Sequence, residues 1–495
     1  MGLLGLMPPL KILFVSPEVE PFAKAGGLAD MVGALPKELA ALGHDVRLVC
    51  PLYGSVKRVG KWKALEGALG VEVGPATRWA RTWQTTLPDT KVPVYFIEHD
   101  EYFSRPEVYS GGSDNDLRFV FFARAALALC EQIGWMPDVI HGHDWTTGLI
   151  PVWLNTTLRA TEFGSIATVF TIHNLEHQGL CDKRVMAYAR LPWSEFNANS
   201  LESYGGVNMM KAGLFHATKL TTVSPTYARE IRTSEYGFGL DHVLRFRGSD
   251  LIGILNGIDS SRWDPAKDPA LAANFTGADL SGKAICKAEL QAQLGLDVDA
   301  GVPLFGVVAR LAPQKGLDLL ADALPLIMHR LRGQFVLLGS GDARVEAAFG
   351  RVARAFPGRV TAQVGFDASL ARRIQAGSDF FVMPSRSEPC GLTQMYAMRY
   401  GTAPIVRATG GLIDTVWNYE PGADAGTGFV FQEATALALY DTIGWAEMTY
   451  VERPRELMAL RRRAMGQDFS WTRSAARYGD VYRWAIEARA SALAK

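Results

Sequence analysis

Hydrophobic residues occur along this chain in two kinds of pattern that alternate with each other. Short runs rich in β-branched residues are typical of strands buried in a parallel sheet, and longer stretches with an apolar residue at every third or fourth position are typical of amphipathic helices. Helical stretches such as 28–42 and 117–133 separate the runs, so the alternation predicts an α/β chain built from βαβ units. The predicted strands lie at residues 11–16, 45–50, 92–98, 138–141, 167–172, 220–223, 251–255, 304–308, 334–338, 360–364, 380–383, 403–406 and 429–431.

The series of strands is interrupted at residues 259–269, which contain two Asp-Pro pairs. We therefore predict two Rossmann-like domains, one at residues 10–258 and one at residues 259–471, followed by a helix at residues 472–495. Doubly wound sheets bind ligands beyond the carboxyl ends of their strands, so we expect the ligand in a cleft between the two domains. Residues 61–81 show no pattern that predicts an element.

One heptapeptide pattern, Gly-Gly-Leu-x-Asp-x-Val, occurs twice, at residues 26–32 and 410–416. Paired glycines let the backbone turn and approach a ligand, and a leucine four residues before a valine indicates the buried face of a helix. A helix N-terminus reached in this way can bind an anion. Only the first copy follows a lysine, Lys24, so we expect the second copy to form a wall of the cleft.

The charge balance and the cysteine content of the chain indicate which classes of protein it does not belong to. Lys plus Arg and Asp plus Glu both number 51 in 495 residues, so the chain has no global basic field of the kind that nucleic acid binding requires. The five cysteines are scattered, which favours a reduced, cytoplasmic protein. The apolar opening at residues 1–10 lacks the basic segment of a signal peptide, and no stretch predicts a membrane helix.

The densest group of candidate residues is Pro-Ser-Arg-Ser-Glu-Pro-Cys-Gly-Leu-Thr at 384–393. Its proline and glycine favour a turn, and the amides of residues 391–393 begin a helix predicted at 394–400, which indicates an anion site. Glu388 would stand at the mouth of that site. It could be a partner of the helix dipole, or it could bind a substrate hydroxyl.

Three cations lie beside glycine-containing turns after predicted strands: Lys24, Arg310 and Lys315. Each could be a solvated or ion-paired surface residue. Together in one cleft they would supply the positive charge that a departing diphosphate requires.

Two histidine clusters leave a zinc hydrolase open as an alternative. His141 and His143 share one strand face, and residues 173–177 match the peptidase pattern His-x-x-Glu-His. That pattern needs both histidines one helical turn apart, but here it directly follows a predicted strand. We therefore expect this match to be accidental. For His141 and His143, which have no evident third ligand, we expect local hydrogen bonding rather than a metal site.

In this order the motifs resemble those of the bacterial and plant glycogen and starch synthases, which transfer glucose from a sugar nucleotide. The most diagnostic segment is Glu-Pro-Cys-Gly-Leu-Thr-Gln at 388–394. The matching segments cover almost the whole chain and lie at residues 24–32, 141–145, 173–179, 255–259, 310–316, 384–401 and 409–416.

The resemblance implies a GT-B fold, in which two Rossmann-like domains face each other across a deep cleft and the C-terminal helix crosses back to the first domain. The second domain would bind the nucleotide sugar. The resemblance also implies transfer of α-glucose from ADP-glucose to the non-reducing 4-hydroxyl of an α-1,4-glucan such as glycogen, with retention of configuration. No metal or other cofactor, nucleic acid or membrane is implied.

The resemblance assigns roles to individual residues. Lys24, Arg310 and Lys315 would hold the diphosphate, Glu388 would hold the donor glucose, and His173 and Asp144 would complete the catalytic set. The residues that would bind substrate are Gly26, Gly27, Asp30, Trp145, Asn174, Asn256, Phe366, Cys390, Gly391, Leu392 and Thr393.

Two differences from the family's usual residues, and the lack of a second carboxylate beside Glu388, refine these expectations. Phe366 stands where tyrosine is usual near the nucleobase, which leaves UDP-glucose open as the donor. Ala25 replaces a threonine or valine in the lysine loop without affecting its backbone role. No second carboxylate is evident beside Glu388, so we expect a same-face substitution rather than the two-carboxylate mechanism of retaining hydrolases.

Overall fold

The computed structural model describes residues 8–109 and 114–494. The chain divides into two compact units. Unit 1 comprises the described residues up to Gly257 together with those from Trp471 onward, and unit 2 comprises Ile258–Ser470. We expect no signal peptide in the opening segment at residues 1–10. Residues 1–7 of that segment lie outside the described residues.

Unit 1 contains a large sheet with the strand order β13-β12-β8-β7-β1-β2-β6-β5-β3, in which β4 also pairs with β5. A second, small antiparallel sheet has the order β10-β11-β9. The strands of unit 1 are β1 (Lys11–Val15), β2 (Asp45–Pro51), β3 (Lys63–Ala64), β4 (Leu69–Val73), β5 (Ala76–Thr86), β6 (Pro93–Glu98), β7 (Val139–His143), β8 (Ala167–Ile172), β9 (Leu180–Cys181), β10 (Glu202–Ser203), β11 (Gly206–Asn208), β12 (Lys219–Thr222) and β13 (Leu251–Gly253).

The large sheet is parallel from β13 to β6 and becomes antiparallel at β5. The chain places β2 on one side of β1 and β7 on the other, so the topological switch point lies between β1 and β7. Ligands of doubly wound sheets bind at the carboxyl ends of the strands beside such a point. The loops after β1 and β7 are therefore the expected binding loops of unit 1.

Helices cover the sheet of unit 1 with apolar faces. Helix α1 buries Leu28, Met31, Val32, Leu35 and Leu39, which recur at the spacing of one helical face. The helices are α1 (Gly27–Ala41), α2 (Asp100–Phe103), α3 (Asn115–Gln132), α4 (Ile150–Asn155), α5 (Arg184–Tyr188), α6 (Met209–His216), α7 (Pro225–Glu230), α8 (Asp241–Arg247) and, at the far end of the chain, α17 (Trp471–Leu493).

Unit 2 contains one parallel sheet with the order β16-β15-β14-β17-β18-β19. This is the Rossmann order, with the switch point between the first strand, β14, and the fourth, β17. The strands are β14 (Leu304–Val308), β15 (Gln334–Gly339), β16 (Val360–Val364), β17 (Phe380–Met383), β18 (Ala403–Arg407) and β19 (Phe429–Phe431).

The helices of unit 2 alternate with its strands, as βαβ units require. They are α9 (Ser281–Gln293), α10 (Leu317–Arg330), α11 (Ala343–Ala355), α12 (Ala368–Gly377), α13 (Thr393–Arg399), α14 (Gly410–Thr415), α15 (Ala436–Glu452) and α16 (Pro454–Met465). Within the described ranges, none of the helices has the length and apolar character needed to cross a membrane.

The predicted strands are confirmed, and no predicted boundary differs from the structure by more than two residues. The sequence did not assign residues 61–81, and these form β3, β4 and most of β5 at the antiparallel edge of the sheet. The short strands β9 to β11 were also not anticipated, because two- or three-residue strands carry no measurable periodicity.

Candidate active site

In unit 1, the loop after β1 is organised around the buried carboxylate of Glu18. Its Oε2 accepts hydrogen bonds from the amides of Ala25 at 2.6 Å and Gly26 at 2.8 Å. Its Oε1 accepts a hydrogen bond from the Tyr109 hydroxyl at 2.9 Å. These bonds satisfy the buried carboxylate and fix the loop. The amide of Gly26, which the resemblance implies to be a substrate-binding residue, is thus bonded in this structure to a side chain of the protein itself.

Lys24, in the same loop, is exposed and already paired. Its Nζ lies 2.6 Å from Asp30 Oδ1 and 3.8 Å from Glu20 Oε2. Asp30 belongs to the first turn of α1, whose N-terminal dipole favours a carboxylate, and α1 begins at Gly27. Exposed ion pairs contribute only about 0–1 kcal/mol, so Lys24 can exchange these partners for a stronger anion at little cost.

Asp144 follows β7 and connects it to the end of β8. Its backbone has a φ of 54°, the left-handed region that side-chain-bearing residues rarely adopt. Its Oδ1 accepts a hydrogen bond from the amide of His173 at 2.8 Å. Burial raises the pKa of Asp144 to about 7, although the amides of His173 and Asn174 act in the opposite direction. Strained, polar and titrating near neutrality, Asp144 has the attributes of a functional residue.

The histidines of the zinc alternative are held by local hydrogen bonds. His141 lies 2.9 Å from the Tyr482 hydroxyl and 2.6 Å from Thr171 Oγ1, and His143 Nδ1 lies 3.2 Å from His173 Nε2. Burial lowers the pKa of His173 to about 3 and lowers the pKa values of His141 and His143 well below the usual range, so all three are neutral.

The segment that matches His-x-x-Glu-His, residues 173–177, forms a bend and turn rather than a helix. His173 and the exposed His177 therefore do not share a helical face. The predicted local bonding is confirmed for His141 and His143. In the described ranges, no three His, Cys, Asp or Glu side chains are grouped so that they could hold a metal ion.

Two asparagines of unit 1 are among the residues that the resemblance assigns to substrate binding. Asn174 is half-buried, and its Oδ1 accepts the amide of Glu176 at 3.1 Å. Asn256, beyond β13, is 5% exposed, and its buried Oδ1 has no hydrogen-bond partner among the described residues. An orphaned buried acceptor in a native protein calls for a partner, and a ligand hydroxyl would supply one.

In unit 2, Lys315 and Glu388 form a direct ion pair. Lys315 Nζ lies 2.8 Å from Oε1 and 2.7 Å from Oε2 of Glu388, and the Ser385 hydroxyl donates to Oε2 at 3.0 Å. Lys315 follows β14 and Glu388 follows β17, the two strands that flank the switch point. The fold therefore places a paired cation and carboxylate where a doubly wound sheet binds its ligand.

The turns that carry this pair are packed closely together. Gly316, which follows Lys315, has a φ of 62°, and a Cβ there would lie 2.1 Å from the carbonyl oxygen of Pro384. Only glycine allows this approach of the two loops. Arg310 and Phe366 lie beyond β14 and β16, and both side chains are exposed rather than part of the Lys315–Glu388 contact.

The predicted anion site at the amides of residues 391–393 lies at the start of α13, which begins at Thr393. Cys390 and Gly391 are buried, Leu392 and Thr393 are half-buried, and Gly391 has a φ of 71°. Gln394 Nε2 donates to the carbonyl oxygens of Cys390 and Gly391 at 3.1 and 2.9 Å. These two bonds satisfy the carbonyl groups of the turn that precedes α13.

The second heptapeptide packs against the same turn. It forms α14, and the amide of Gly411 donates to the carbonyl oxygen of Glu388 at 3.0 Å. A Cβ at Gly411 would lie 2.1 Å from the carbonyl oxygen of Cys390. The pair of glycines therefore supports the turn that carries Glu388.

The sequence reasoning missed Glu18, Tyr109 and Ser385. Ser385 lies in the motif at 384–393, three residues before Glu388, but its hydrogen bond to Glu388 depends on the conformation of the folded turn. Glu18 and Tyr109 are 91 positions apart and meet only in the folded chain. A Glu eight residues before a glycine turn carries no signal that it will bond the turn's amides.

The Asp-Asn-Asp triplet at 114–116, which resembles a metal-binding motif, has structural partners. Both Asp114 carboxylate oxygens accept hydrogen bonds from the guanidinium of Arg105, at 2.8 and 2.5 Å. Asp116 lies 3.3 Å from Arg184. These ion pairs give both aspartates of the triplet a structural role.

Comparison with known families gives two matches. Residues 11–246 match the model described as the starch synthase catalytic domain, and residues 302–445 match the model described as glycosyl transferases group 1. One match lies in each unit.

Curated relatives match over almost their whole length. The chain is 48% identical over 491 residues to glycogen synthase 1 of Geobacter metallireducens, covering 98% of this chain and 97% of that protein. It is 42% identical over 493 residues to the glycogen synthase of Treponema denticola, covering 98% of this chain and 100% of that protein.

Solved structures support the fold. The catalytic domain of starch synthase IV from Arabidopsis thaliana, bound to ADP and acarbose, matches with a TM-score of 0.90 and 36% identity, covering 97% of this chain and 100% of that one. Sucrose-phosphate synthase from Thermosynechococcus elongatus matches in fold, with a TM-score of 0.59 and 20% identity, covering 96% of this chain and 99% of that one. The predicted fold class, α/β with two Rossmann-like domains of the GT-B type, is confirmed.

Proposed function

Because the chain belongs to the glycogen and starch synthase family of glycosyltransferases, we propose that it transfers α-glucose from ADP-glucose to the non-reducing 4-hydroxyl of an α-1,4-glucan, with retention of configuration. The observation that carries this proposal is the Lys315–Glu388 pair at the switch point of unit 2. Such a pair offers a cation for a diphosphate and a carboxylate for sugar hydroxyls at one place. The proposed setting is glycogen synthesis in the cytoplasm.

Lys315 and Arg310 act on the leaving group. The bond from glucose C1 to the diphosphate oxygen breaks with its electron pair, so negative charge grows on the diphosphate. Charge-assisted hydrogen bonds from cations contribute about 1.5–3 kcal/mol each, and they stabilise the transition state more than the ground state because the charge is still growing. In unit 1, Lys24, exposed and weakly paired, is a further cation that can bind an anion.

Glu388 binds the hydroxyls of the donor glucose. Its carboxylate is buried and already fixed by Lys315 and Ser385, so it can accept sugar hydroxyl hydrogens without first being ordered. Fixed acceptors lower the entropy cost of positioning the reacting sugar. Unit 1 offers two candidates for binding sugar hydroxyls, Asn174 and Asn256. The buried Oδ1 of Asn256 has no hydrogen-bond partner among the described residues.

The stereochemistry follows from a same-face substitution. The 4-oxygen of the acceptor bonds to C1 on the face that the diphosphate leaves, and the hydroxyl proton passes to the departing phosphate oxygen. This path needs no protein nucleophile. It fits a site in which the buried carboxylate of Glu388 is already paired with a lysine.

The identity of the sugar-nucleotide donor, ADP-glucose or UDP-glucose, is a separate part of the proposal. The related starch synthase IV was solved with ADP, which favours an adenine nucleotide. Phe366 is 90% exposed beyond β16 and offers a ring face for a nucleobase, but a ring face accepts uracil as well as adenine. UDP-glucose is therefore the second candidate donor.

One experiment tests both the reaction and the donor. Glycogen is incubated with the purified protein and either ADP-glucose or UDP-glucose, and glucose incorporation and nucleotide release are measured, with and without EDTA. We expect incorporation mainly from ADP-glucose, unchanged by the chelator. Faster transfer from UDP-glucose would overturn the donor assignment, and no transfer from either would overturn the proposed function. Loss of activity with EDTA would overturn the expectation that the reaction needs no metal ion.

A further inference from the structure

The loops that follow β14 and β17 in unit 2 are joined by the side chain of Arg386, which lies two residues before Glu388. Arg386 Nη1 and Nη2 donate to Oδ1 and Oδ2 of Asp318, each at 2.6 Å. Nη1 also donates to the Pro313 carbonyl oxygen at 3.1 Å, and the Arg386 amide donates to the Gln314 carbonyl oxygen at 2.8 Å. We call the Arg386–Asp318 pair together with these two bonds the Arg386 clamp.

The contacts of the clamp lie on both sides of Lys315 in the sequence. Pro313 and Gln314 precede Lys315, whereas Asp318 belongs to the first turn of α10. One guanidinium therefore binds both ends of the short segment that carries Lys315. Because Arg386 itself belongs to the loop after β17, the clamp sets the position of Lys315 relative to that loop.

The geometry of the Arg386–Asp318 pair distinguishes it from most exposed ion pairs. The two side chains are 38% and 47% exposed, and such pairs contribute little unless their geometry is bidentate. Here each of the two guanidinium nitrogens faces its own carboxylate oxygen, an arrangement that a lysine cannot form. The hydrogen bond from Arg386 lowers the pKa of Asp318, so the pair is charged at neutral pH.

The backbone of Arg386 is anchored to the neighbouring strands. Arg407, the last residue of β18, donates from Nη1 to the Arg386 carbonyl oxygen at 2.7 Å. Its Nε donates to the carbonyl oxygen of Gln432, just beyond β19, at 3.1 Å. The clamp therefore ties the loop after β14 to a turn that is itself fixed to the sheet.

The clamp becomes most important when the donor is bound. In the free protein, the ion pair between Lys315 and Glu388 also joins the two loops. In the proposed reaction, Lys315 turns toward the diphosphate and Glu388 toward the sugar hydroxyls, so their attraction for each other is weakened. The clamp uses neither of these side chains and stays intact. It can therefore hold the two loops together while the pair between them opens.

We propose that Arg386 and Asp318 are positioning residues of the glucosyl transfer, which hold the Lys315 loop against the Glu388 loop while both side chains bind the donor. The inference rests on the proposed function and adds to it two residues that act without contacting the substrate. A displacement of about 1 Å at a reacting group can lower the rate by about 10²-fold. Loss of the clamp should therefore affect turnover more than folding.

A double-mutant cycle tests the pair, with Arg386→Met, Asp318→Asn and the double variant compared with the wild type. Arg386→Lys keeps the charge but loses the bidentate geometry. Arg344→Met is the matched control, because Arg344 binds Asp342 within one segment at the N-terminus of α11. The kcat and KM are measured with ADP-glucose and glycogen, and thermal melting is followed by circular dichroism.

We expect Arg386→Met, Asp318→Asn and Arg386→Lys each to lower kcat by about 10-fold, with the KM for glycogen within about twofold of the wild-type value. The double variant should lose no more than the worse single variant, because both substitutions remove the same interaction. Melting temperatures should stay within about 4 °C, as expected for loss of an exposed pair. The constants of Arg344→Met should stay within about twofold.

Three results would overturn the inference. The first is an unchanged kcat in Arg386→Met or in Arg386→Lys, since the bidentate bond would then not be needed. The second is a normal or higher kcat in Asp318→Asn together with a loss in Arg386→Met, which would mean that Arg386 acts on the ligand directly. The third is additive losses in the double variant.

Failure of the inference can be separated from failure of the proposed function. If the wild-type protein elongates glycogen and the clamp variants match it, only the inference is wrong. If the wild type transfers no glucose, the proposed function is wrong, and amide hydrogen exchange without ligand still tests the clamp. Lys315→Met removes the ion pair to Glu388, so in that variant the two loops depend on the clamp.

In the Lys315→Met background, adding Arg386→Met should speed exchange at residues 309–317 and 384–390 by at least about threefold, because local opening becomes easier. Adding Arg344→Met to the same background should leave exchange in both segments unchanged. Equal exchange with and without Arg386→Met would show that the clamp does not hold the loops together.

Discussion

At the scale of single residues, Lys315 and Glu388 stabilise each other before any substrate is bound. Their side chains are 22% and 6% exposed, so the pair is screened by water much less than a surface ion pair. Removing one partner of such a pair leaves a charge without compensation. Each residue therefore depends on the other for its position, and this determines what a substitution will do.

Lys315→Met should lower turnover by about 10²-fold or more, as does loss of a fixed transition-state donor in other enzymes. The variant loses the charge that the diphosphate needs and also releases Glu388 from its fixed position. Lys24→Met should act in the same direction but only through charge. The measurement is kcat with saturating donor and glycogen, with Lys91→Met, at an exposed site, as the control. Turnover of Lys315→Met equal to that of Lys91→Met would contradict the assignment.

Glu388→Gln should separate donor binding from transfer. Glutamine keeps the shape of the side chain but removes the charge, so Lys315 becomes free for the diphosphate while the sugar loses its carboxylate. We expect the Kd for ADP, measured by calorimetry, to stay equal or decrease, and glucan elongation to fall by at least about 10²-fold. Full elongation by this variant would remove Glu388 from the sugar site.

At the scale of elements, the twin heptapeptides start helices α1 and α14 in different surroundings. The first glycines of the two copies, Gly26 and Gly410, have φ angles of –152° and 47°. In the second copy, a Cβ at the second glycine, Gly411, would lie 2.1 Å from the Cys390 carbonyl oxygen. Gly411→Ala must therefore displace either α14 or the turn that carries Glu388. We expect it to cost about 1–3 kcal/mol of stability, as overpacking does elsewhere, and to weaken ADP binding.

Gly26→Ala, in the first heptapeptide, is the control variant for stability, because the extended backbone of Gly26, with a φ of –152°, accepts any residue and a Cβ there would meet nothing within 4 Å. Its free energy of unfolding in urea should stay within about 0.5 kcal/mol of the wild-type value. Equal destabilisation by the two substitutions would contradict the prediction that crowding at Gly411 causes the loss of stability.

The histidines around the ends of β7 and β8 predict a loss of stability in acid. In the folded chain the pKa values of His141 and His143 are well below 6.5 and that of His173 is about 3, so the unfolded chain takes up more protons below pH 6.5. Each histidine then removes up to about 1.4 kcal/mol of stability per pH unit as the pH falls from 6.5 toward 3. Asp144 opposes this, because its raised pKa favours the folded state increasingly as the pH falls below about 7.

The measurement is the free energy of unfolding in urea between pH 5 and pH 7, for the wild type and for His143→Gln. Glutamine can keep a hydrogen bond to His173 and does not take up a proton. The variant should lose stability less steeply as the pH is lowered, by up to about 1.4 kcal/mol per pH unit. Identical slopes for both proteins would mean that His143 is not held neutral in the folded state.

The elements that the sequence predicted best share one physical property. Strands such as Ala167–Ile172 and Phe380–Met383 are buried on both faces, so their apolar runs are continuous and their ends are sharp. Strand β5 is mixed in burial, and β3 is exposed, which leaves no apolar run to detect. At the site, Glu388 and Lys315 could be predicted from local motifs, but the Glu18–Tyr109 contact could not, because only the fold brings the two residues together.

At the scale of the whole molecule, unit 1 is built from two distant parts of the chain. The core of unit 1 includes Trp471, Ala475, Tyr478 and Tyr482 of α17, and the Tyr482 hydroxyl bonds to His141 in β7. The core of unit 2 is formed by its own strands and helices. The C-terminal helix is therefore expected to be needed for the folding of unit 1 and not for that of unit 2.

Fragments of the chain test this expectation. Residues 258–470 should fold alone and melt cooperatively, because their sheet and core are complete. Residues 8–257 should not, because loss of the buried aromatic residues of α17 removes about 3–5 kcal/mol for each large side chain from a domain whose total stability is about 5–15 kcal/mol. Adding a peptide of residues 471–494 should restore cooperative melting to the 8–257 fragment, as followed by circular dichroism. If that fragment melts at the temperature of the intact protein without the peptide, α17 is not part of the core on which unit 1 depends.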